Sequence, residues 1–251
     1  NNLGIIEMNW GRLDQAREYF HRSLEICNDS KLVIIKGHCY NNLGVISSIQ
    51  GEINQAQSQF LRSIIYRKIA LDWPGLAESI YNQAVIFKKK HQNKNSLKLL
   101  EEAGLIVEQI NFAVLRPNLY ITRCEIFLDE GDYLPALSLA EKALVIFQKQ
   151  NNKPGQAEAY KARGKIHSYR HQNNKAINDL KKAVNICKNV GYKLGIAEAL
   201  EDLADVFFRE QNYKKAIESY KKAASAYEKL GAKVDLIRVK SMIERIHLLL
   251  S

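Results

Sequence analysis

No apolar run in the 251 residues reaches the ~18 needed to cross a bilayer, and no signal-peptide pattern opens the chain. Proline is scarce, at four, and the thirteen glycines follow no triplet, which excludes collagenous and low-complexity classes. The four cysteines, Cys27, Cys39, Cys124 and Cys187, have no C-x-x-C spacing and sit in apolar helical stretches, so they read as reduced core thiols. A reducing compartment such as the cytoplasm is the expected location.

The signatures of catalysis are also missing. There is no H-E-x-x-H, no G-x-x-x-x-G-K-[ST], no G-x-G-x-x-G and no G-x-S-x-G. His167 and His171 are four apart and would share one helical face, but no third ligand stands beside them. Asp129, Glu130 and Asp132 surround Gly131 and read as a solvated turn. No enzyme, no metal and no cofactor is expected.

What the chain does have is a repeat. Written in blocks of forty, it aligns with itself without a gap: Asn1-Asn2-Leu3-Gly4 falls over Asn41-Asn42-Leu43-Gly44. Three columns of small residues recur in step. The first is Gly4, Gly44, Ala84, Cys124, Gly164 and Ala204, and the second is Ala16, Ala56, Ser96, Ala136, Ala176 and Ala216. The third is Ser23, Ser63, Ala103, Ala143, Ala183 and Ala223. Small residues let two helices approach closely, and larger ones fill the space around them: Phe20, Phe60, Leu100, Leu180 and Tyr220 lie four beyond the second column. Spacings of three, four and seven mark one face of a helix, so this aromatic and aliphatic stripe is core.

Each unit therefore reads as two amphipathic helices, the first over block positions 35 to 50 and the second over 53 to 70. The turn inside each unit falls near Gly11, Gly51, His91, Gly131, His171 and Gln211. The turn between units is expected at Asp72-Trp73-Pro74-Gly75, Asn152-Lys153-Pro154-Gly155 and Gly191 to Gly195. Six units fill 1–233, the first with its opening helix cut short, and 234–251 forms a closing helix. That closing helix carries Glu244 where the other units have a small residue, which suits a helix with nothing packed beyond it. The chain is accordingly expected to continue upstream of Asn1.

This pattern resembles the tetratricopeptide repeat, whose usual length is about 34 residues. The forty-residue unit, which lacks the usual proline at Asn28, Lys68, Glu108, Gln148 and Lys188, is similar to that of Pins-type adaptors, kinesin light chains and MalT- or Rap-like bacterial regulators. The resemblance implies an all-α, right-handed superhelical solenoid of antiparallel helix pairs. It also implies a groove lined by the first helices, where a protein or peptide partner binds, in a scaffold or in the sensing part of a longer regulator.

Placed in that groove, the second block column reads Asn2, Asn42 and Asn82, whose carboxamides match the peptide group of an extended chain. Asparagine ladders of this kind grip ligand backbones in the kinesin light chains and Pins-type adaptors. The fifth column changes from Ile5, Val45 and Val85 to Glu125, Lys165 and Asp205. With Arg123 and Lys161 nearby, the expected partner segment has apolar residues at one end and acidic residues at the other. The slot where a heat-shock-tail clamp needs asparagine holds Val45 and Val85, so that partner class is not expected.

The net charge of +10 is uneven, with nine basic residues against two acids in 161–200. Lys88-Lys89-Lys90 and the 161–182 cluster offer a surface to nucleic acid. No nucleic-acid-binding motif accompanies it, so nucleic acid is the lesser reading.

Overall fold

The chain reverses direction every twenty residues, and one backbone device does it. A left-handed residue follows eleven of the helices, at Gly11, Gly51, Leu71, His91, Asn111, Gly131, Asn151, His171, Gly191, Gln211 and Gly231. At all eleven, the next N–H donates to the carbonyl five residues back, at 2.8–3.0 Å. This is the Schellman closure, which satisfies a carbonyl that the helix end would otherwise leave bare.

The computed structural model describes residues 1–27 and 32–250. Among them lie thirteen helices and no strand. Seven are first helices: α1 (Asn2–Asn9), α3 (Val33–Ile49), α5 (Trp73–Lys89), α7 (Arg116–Asp129), α9 (Lys153–Tyr169), α11 (Lys193–Arg209) and α13 (Lys233–Leu250). The second helices are α2 (Leu13–Ile26), α4 (Ile53–Ile69), α6 (Asn93–Gln109), α8 (Tyr133–Lys149), α10 (Asn173–Val190) and α12 (Tyr213–Leu230). Of the positions lacking the repeat's usual proline, Asn28 lies outside the described residues.

The turns inside the units sit where the sequence puts them, and so does the reversal at Gly191. The other two reversals come one residue ahead of the expected segments, at Leu71 and Asn151, and Pro74-Gly75 and Pro154-Gly155 are already helical. Asp72 and Asn152 are N-caps whose side chains accept the N–H of Gly75 and Gly155, at 3.1 and 2.9 Å, with proline in the first turn. Glycine is there for room: a Cβ on Gly155 would lie 2.2 Å from Phe147, and one on Gly195 would lie 2.4 Å from Tyr192.

The small columns are steric partners of the large ones. A Cβ on Gly4 would meet Phe20 at 2.7 Å, one on Gly44 would meet Phe60 at 2.6 Å, and one on Gly164 would meet Leu180 at 2.8 Å. Every member of the three columns is buried except Ser23, which is half-buried. Interiors packed to crystal-like density leave no slack for an added methyl at such places.

The chain forms two compact units, Asn1–Leu119 and Tyr120–Ser251. In the first, each helix from α1 to α6 packs on the next, and the first helices α3 and α5 also touch each other. Its core gathers Leu13, Phe20, Leu43 and Ile46, and then Phe60 with Ile86. In the second, helices from α8 to α13 pack in sequence, with α9 touching α11. Tyr220 and Tyr227 are its largest fully buried side chains, joined by Phe147 and Ile166 in a neighbouring cluster. All four cysteines are buried free thiols, and burial pushes Cys187 up to about 12. No helix among the described residues is long and apolar enough to cross a membrane.

Candidate functional site

In the first unit, α3 and α5 present their equivalent residues side by side, forty apart. Asn42 is half-buried and has no side-chain hydrogen bond among the described residues. Asn82 is half-buried, and its amide nitrogen donates to Asn41 Oδ1 at 2.9 Å. Asn41 is buried and also accepts from the Ser79 hydroxyl, at 3.3 Å, and Ser79 shares a 2.8 Å bond with Ser63. Ser63 in turn donates to the Gly37 carbonyl at 2.8 Å. A chain of hydroxyls and amides thus runs from α4 through α5 to α3 and fixes the orientation of Asn82. The sequence marks Ser63 only as a small packing residue and Asn41 only as a matching member of the repeat, and does not mark Ser79, yet all three support the amides.

The apolar residues beside these amides are also half-buried. Val45 packs against the Ala56, Phe60 and Ile86 core, so part of its surface is spent inside the fold. Val85 is half-buried one helix on. Asn2, on α1, is exposed. The basic run that closes α5 is tied down: Lys89 donates to Ser48 Oγ at 2.9 Å and Lys90 to Asn54 at 2.9 Å.

The charged residues of the second unit are not arranged as the sequence suggested. Lys161 is buried, 6 % exposed, and its ammonium lies between Glu158, at 2.8 Å, and Glu198. Burial opposes its charge, but the combined field of Glu158, Glu198 and Asp202 outweighs that and raises its pKa well above the usual lysine value. Lys165 is ion-paired with Asp202 at 2.9 Å. Arg163, on the same helix, grips Asp179 of α10 through two bonds of 2.7 and 2.9 Å. The basic cluster of 161–165 is therefore saturated from within.

Arg123 stands at the block position of Arg163, and the residue matching Asp179 is the apolar Leu139. Its Nε is buried with no hydrogen-bond partner. Glu125 is half-buried and close enough to raise the pKa values of Glu158 and Lys165 by its charge. Burial raises the carboxyls of Glu158, Asp202 and Asp205, the last to about 6. Tyr220 donates to Asp205 from the core side. Sequence reasoning missed Glu158 and Glu198, although they too stand forty apart, at block position 38 of consecutive first helices. His167 is engaged within the fold: its Nδ1 pairs with Gln172 at 2.9 Å and its Nε2 is 3.9 Å from Asp179.

Paired helices at a forty-residue step, small-on-large packing and neighbouring first helices that touch within each unit are the marks of one repeat family. Family models described as tetratricopeptide repeat match residues 1–30, 115–189 and 167–229, more than half of the chain. The chain belongs to the tetratricopeptide-repeat family. Solved structures give the same fold for this tetratricopeptide-repeat chain. NprR in complex with its cognate peptide NprX superposes with a TM-score of 0.75 at 13 % identity, covering 96 % of this chain and 72 % of NprR. A Rap protein complexed with competence and sporulation factor gives 0.71 at 16 % identity, covering 90 % of this chain and 61 % of that one. The Cut9–Hcn1 assembly of APC/C gives 0.63 at 16 % identity, covering 94 % and 41 %. The chain thus corresponds to under two thirds of the Rap protein's length. No curated protein sequence matches it significantly.

Proposed function

We propose that this tetratricopeptide-repeat chain binds an extended peptide or protein segment along its first helices, and that it acts by binding rather than by catalysis. The observation that carries the reading is the pair of amides in the first unit. Asn42 and Asn82 occupy the same position on touching helices, one held in orientation by a buried network, and half-buried Val45 and Val85 lie three residues further along each helix. Asparagine is a modest helix former, and two in register on a helical face are placed there for their hydrogen bonds. An amide offers a donor and an acceptor together, as a ligand's peptide group requires. That NprR was solved with a peptide, on the same fold, supports a peptide as the ligand class.

The same reading divides the chain into six helix pairs over 1–233 and a closing helix over 234–251, on which Glu244 is exposed. The likeness to NprR and Rap supports a second role, as the peptide-sensing part of a longer regulator. Helix pairs that shift slightly at each step would sum to a larger change across the array.

Affinity selection of random heptapeptides on the purified chain tests binding. The double substitution Asn42→Ala/Asn82→Ala should weaken the selected peptide by roughly tenfold or more, one net hydrogen bond being worth about 1 kcal/mol, with helicity unchanged. Unaltered affinity would remove the amide pair from the ligand site.

A further inference from the structure

The first-helix face of the second unit is acid-rich, despite the basic sequence around it. Three carboxylates, of Glu158, Glu198 and Asp202, share the two ammonium groups of Lys161 and Lys165. Glu125 adds its field from α7, and Asp205 lies next along α11. Two carboxylate oxygens of this cluster have no donor at all. Glu158 Oε1 and Asp202 Oδ2 are both buried without a hydrogen-bond partner, and Asp202 is only 7 % exposed. The Asp202 carboxyl lies inside the cluster, since its other oxygen holds Lys165 and Lys161 is near enough to act on it.

A buried carboxylate oxygen left unpaired is costly, and the field of a cation seated on the exposed edge of Glu158 and Glu198 would lessen that cost. The cluster is open enough to receive one. The side chains of Glu198 and Lys165 are more than a third exposed, and Glu158 is 29 % exposed, over a floor of buried Lys161 and Asp202. Three acids on two neighbouring helices, with Lys161 holding two of them at a fixed spacing, form a socket for a planar or tetrahedral cation.

We infer that the second unit receives a basic group of a peptide segment, an arginine or lysine side chain, between Glu158, Glu198 and Asp202. Lys161 is the positioning residue that sets the two glutamates. This rests on the proposed peptide binding and fixes the ligand's chemistry at one place, where the sequence alone pointed to an acidic residue.

The test uses heptapeptide pools that are random except for one fixed position, either Arg or Lys in one set and Asp or Glu in the other. Retention on the intact chain is measured at pH 7. The basic set should be enriched at least tenfold over the acidic one at a single position. Glu198→Gln, which leaves Glu158 on Lys161 and so keeps the buried ammonium paired, should abolish that preference while the chain keeps its helicity and still unfolds in one cooperative transition. Enrichment of the acidic set, or indifference to charge, overturns the socket while leaving peptide binding in place. Retention of no pool overturns both. An arginine preference that survives intact in Glu198→Gln, with Asn42→Ala/Asn82→Ala still impaired, overturns the socket alone.

Discussion

The two compact units are built from the same helix pair but stabilise their first helices with different polar chemistry. Between its first helices the first uses neutral groups: Ser63, Ser79, Asn41 and Asn82 relay hydrogen bonds from α4 through α5 to α3. Its buried Arg67, on the second helix α4, pairs with Asp72 and Glu78 at the start of α5. The second uses charge: Lys161 between two glutamates, Lys165 on Asp202 and Arg163 on Asp179. A neutral relay that loses one member gives up one or two hydrogen bonds and leaves no charge behind. A buried charge that loses its partner leaves an uncompensated charge behind. Repetition of a fold therefore does not repeat its sensitivity to change.

That difference should be visible first in the stability of single substitutions. Lys161→Ala strands Glu158 and Glu198 and should cost about 3–5 kcal/mol, measured by urea unfolding. Ser79→Ala in the first unit should cost about 1–2 kcal/mol. Equal costs would show that the ammonium is no more integral than the hydroxyl.

Steric tolerance should separate the units next. Gly44→Ala drives a methyl into the rigid Phe60 ring and should cost about 1–2 kcal/mol, the overpacking exceeding the gain in helix propensity. Gly164→Ala meets buried Leu180 at 2.8 and 3.1 Å and the Ala176 carbonyl at 3.3 Å, a looser fit than the ring atoms at 2.6, 2.7 and 2.9 Å that face Gly44, and should cost less. The comparison fails if Gly164→Ala is the more damaging in thermal melts.

The smallest effects are in pH. Burial raises Asp205 to about 6 from an unfolded value near 3.8, so the folded state holds the proton more tightly. Its contribution to stability is present at low pH and is lost as pH rises from about 4 to 6. His38, in the first unit, is lowered by burial and by Arg67, so its contribution is lost as pH falls through 6.5. Asp205→Asn should flatten the fall in thermal midpoint between pH 4 and 6, and His38→Gln should flatten the opposite trend below pH 6.5. A variant whose pH profile overlays that of the unaltered chain would contradict the corresponding shift.

The fold was far more legible in the sequence than the site. A glycine that must face Phe60 leaves a mark at one position in every block, because sterics act within a helix pair and repeat with it. The turns at Gly11, Gly51, His91, Gly131, His171 and Gln211 could be read for the same reason. Pro74-Gly75 misled because proline and glycine mark both a turn and the first turn of a helix, and only the N-cap bond from Asp72 distinguishes them. Charge was harder still. Lys161 looks like a ligand group until Glu198, thirty-seven residues later, is seen to claim it. Whether a lysine is spent inside the fold or offered to a partner depends on the neighbouring helix, which local pattern does not encode.

The central claim is that the first helices, through their amides, hold the ligand. Side-chain amide resonances of an isotopically labelled chain, titrated with a selected heptapeptide, test it most directly. Asn42 and Asn82 should shift and saturate together with the measured affinity, while Asn174 and Asn189, exposed on the second helix α10, stay in place. Saturating shifts confined to Asn174 and Asn189, with Asn42 and Asn82 unmoved, would place the ligand on the wrong helices and contradict the account.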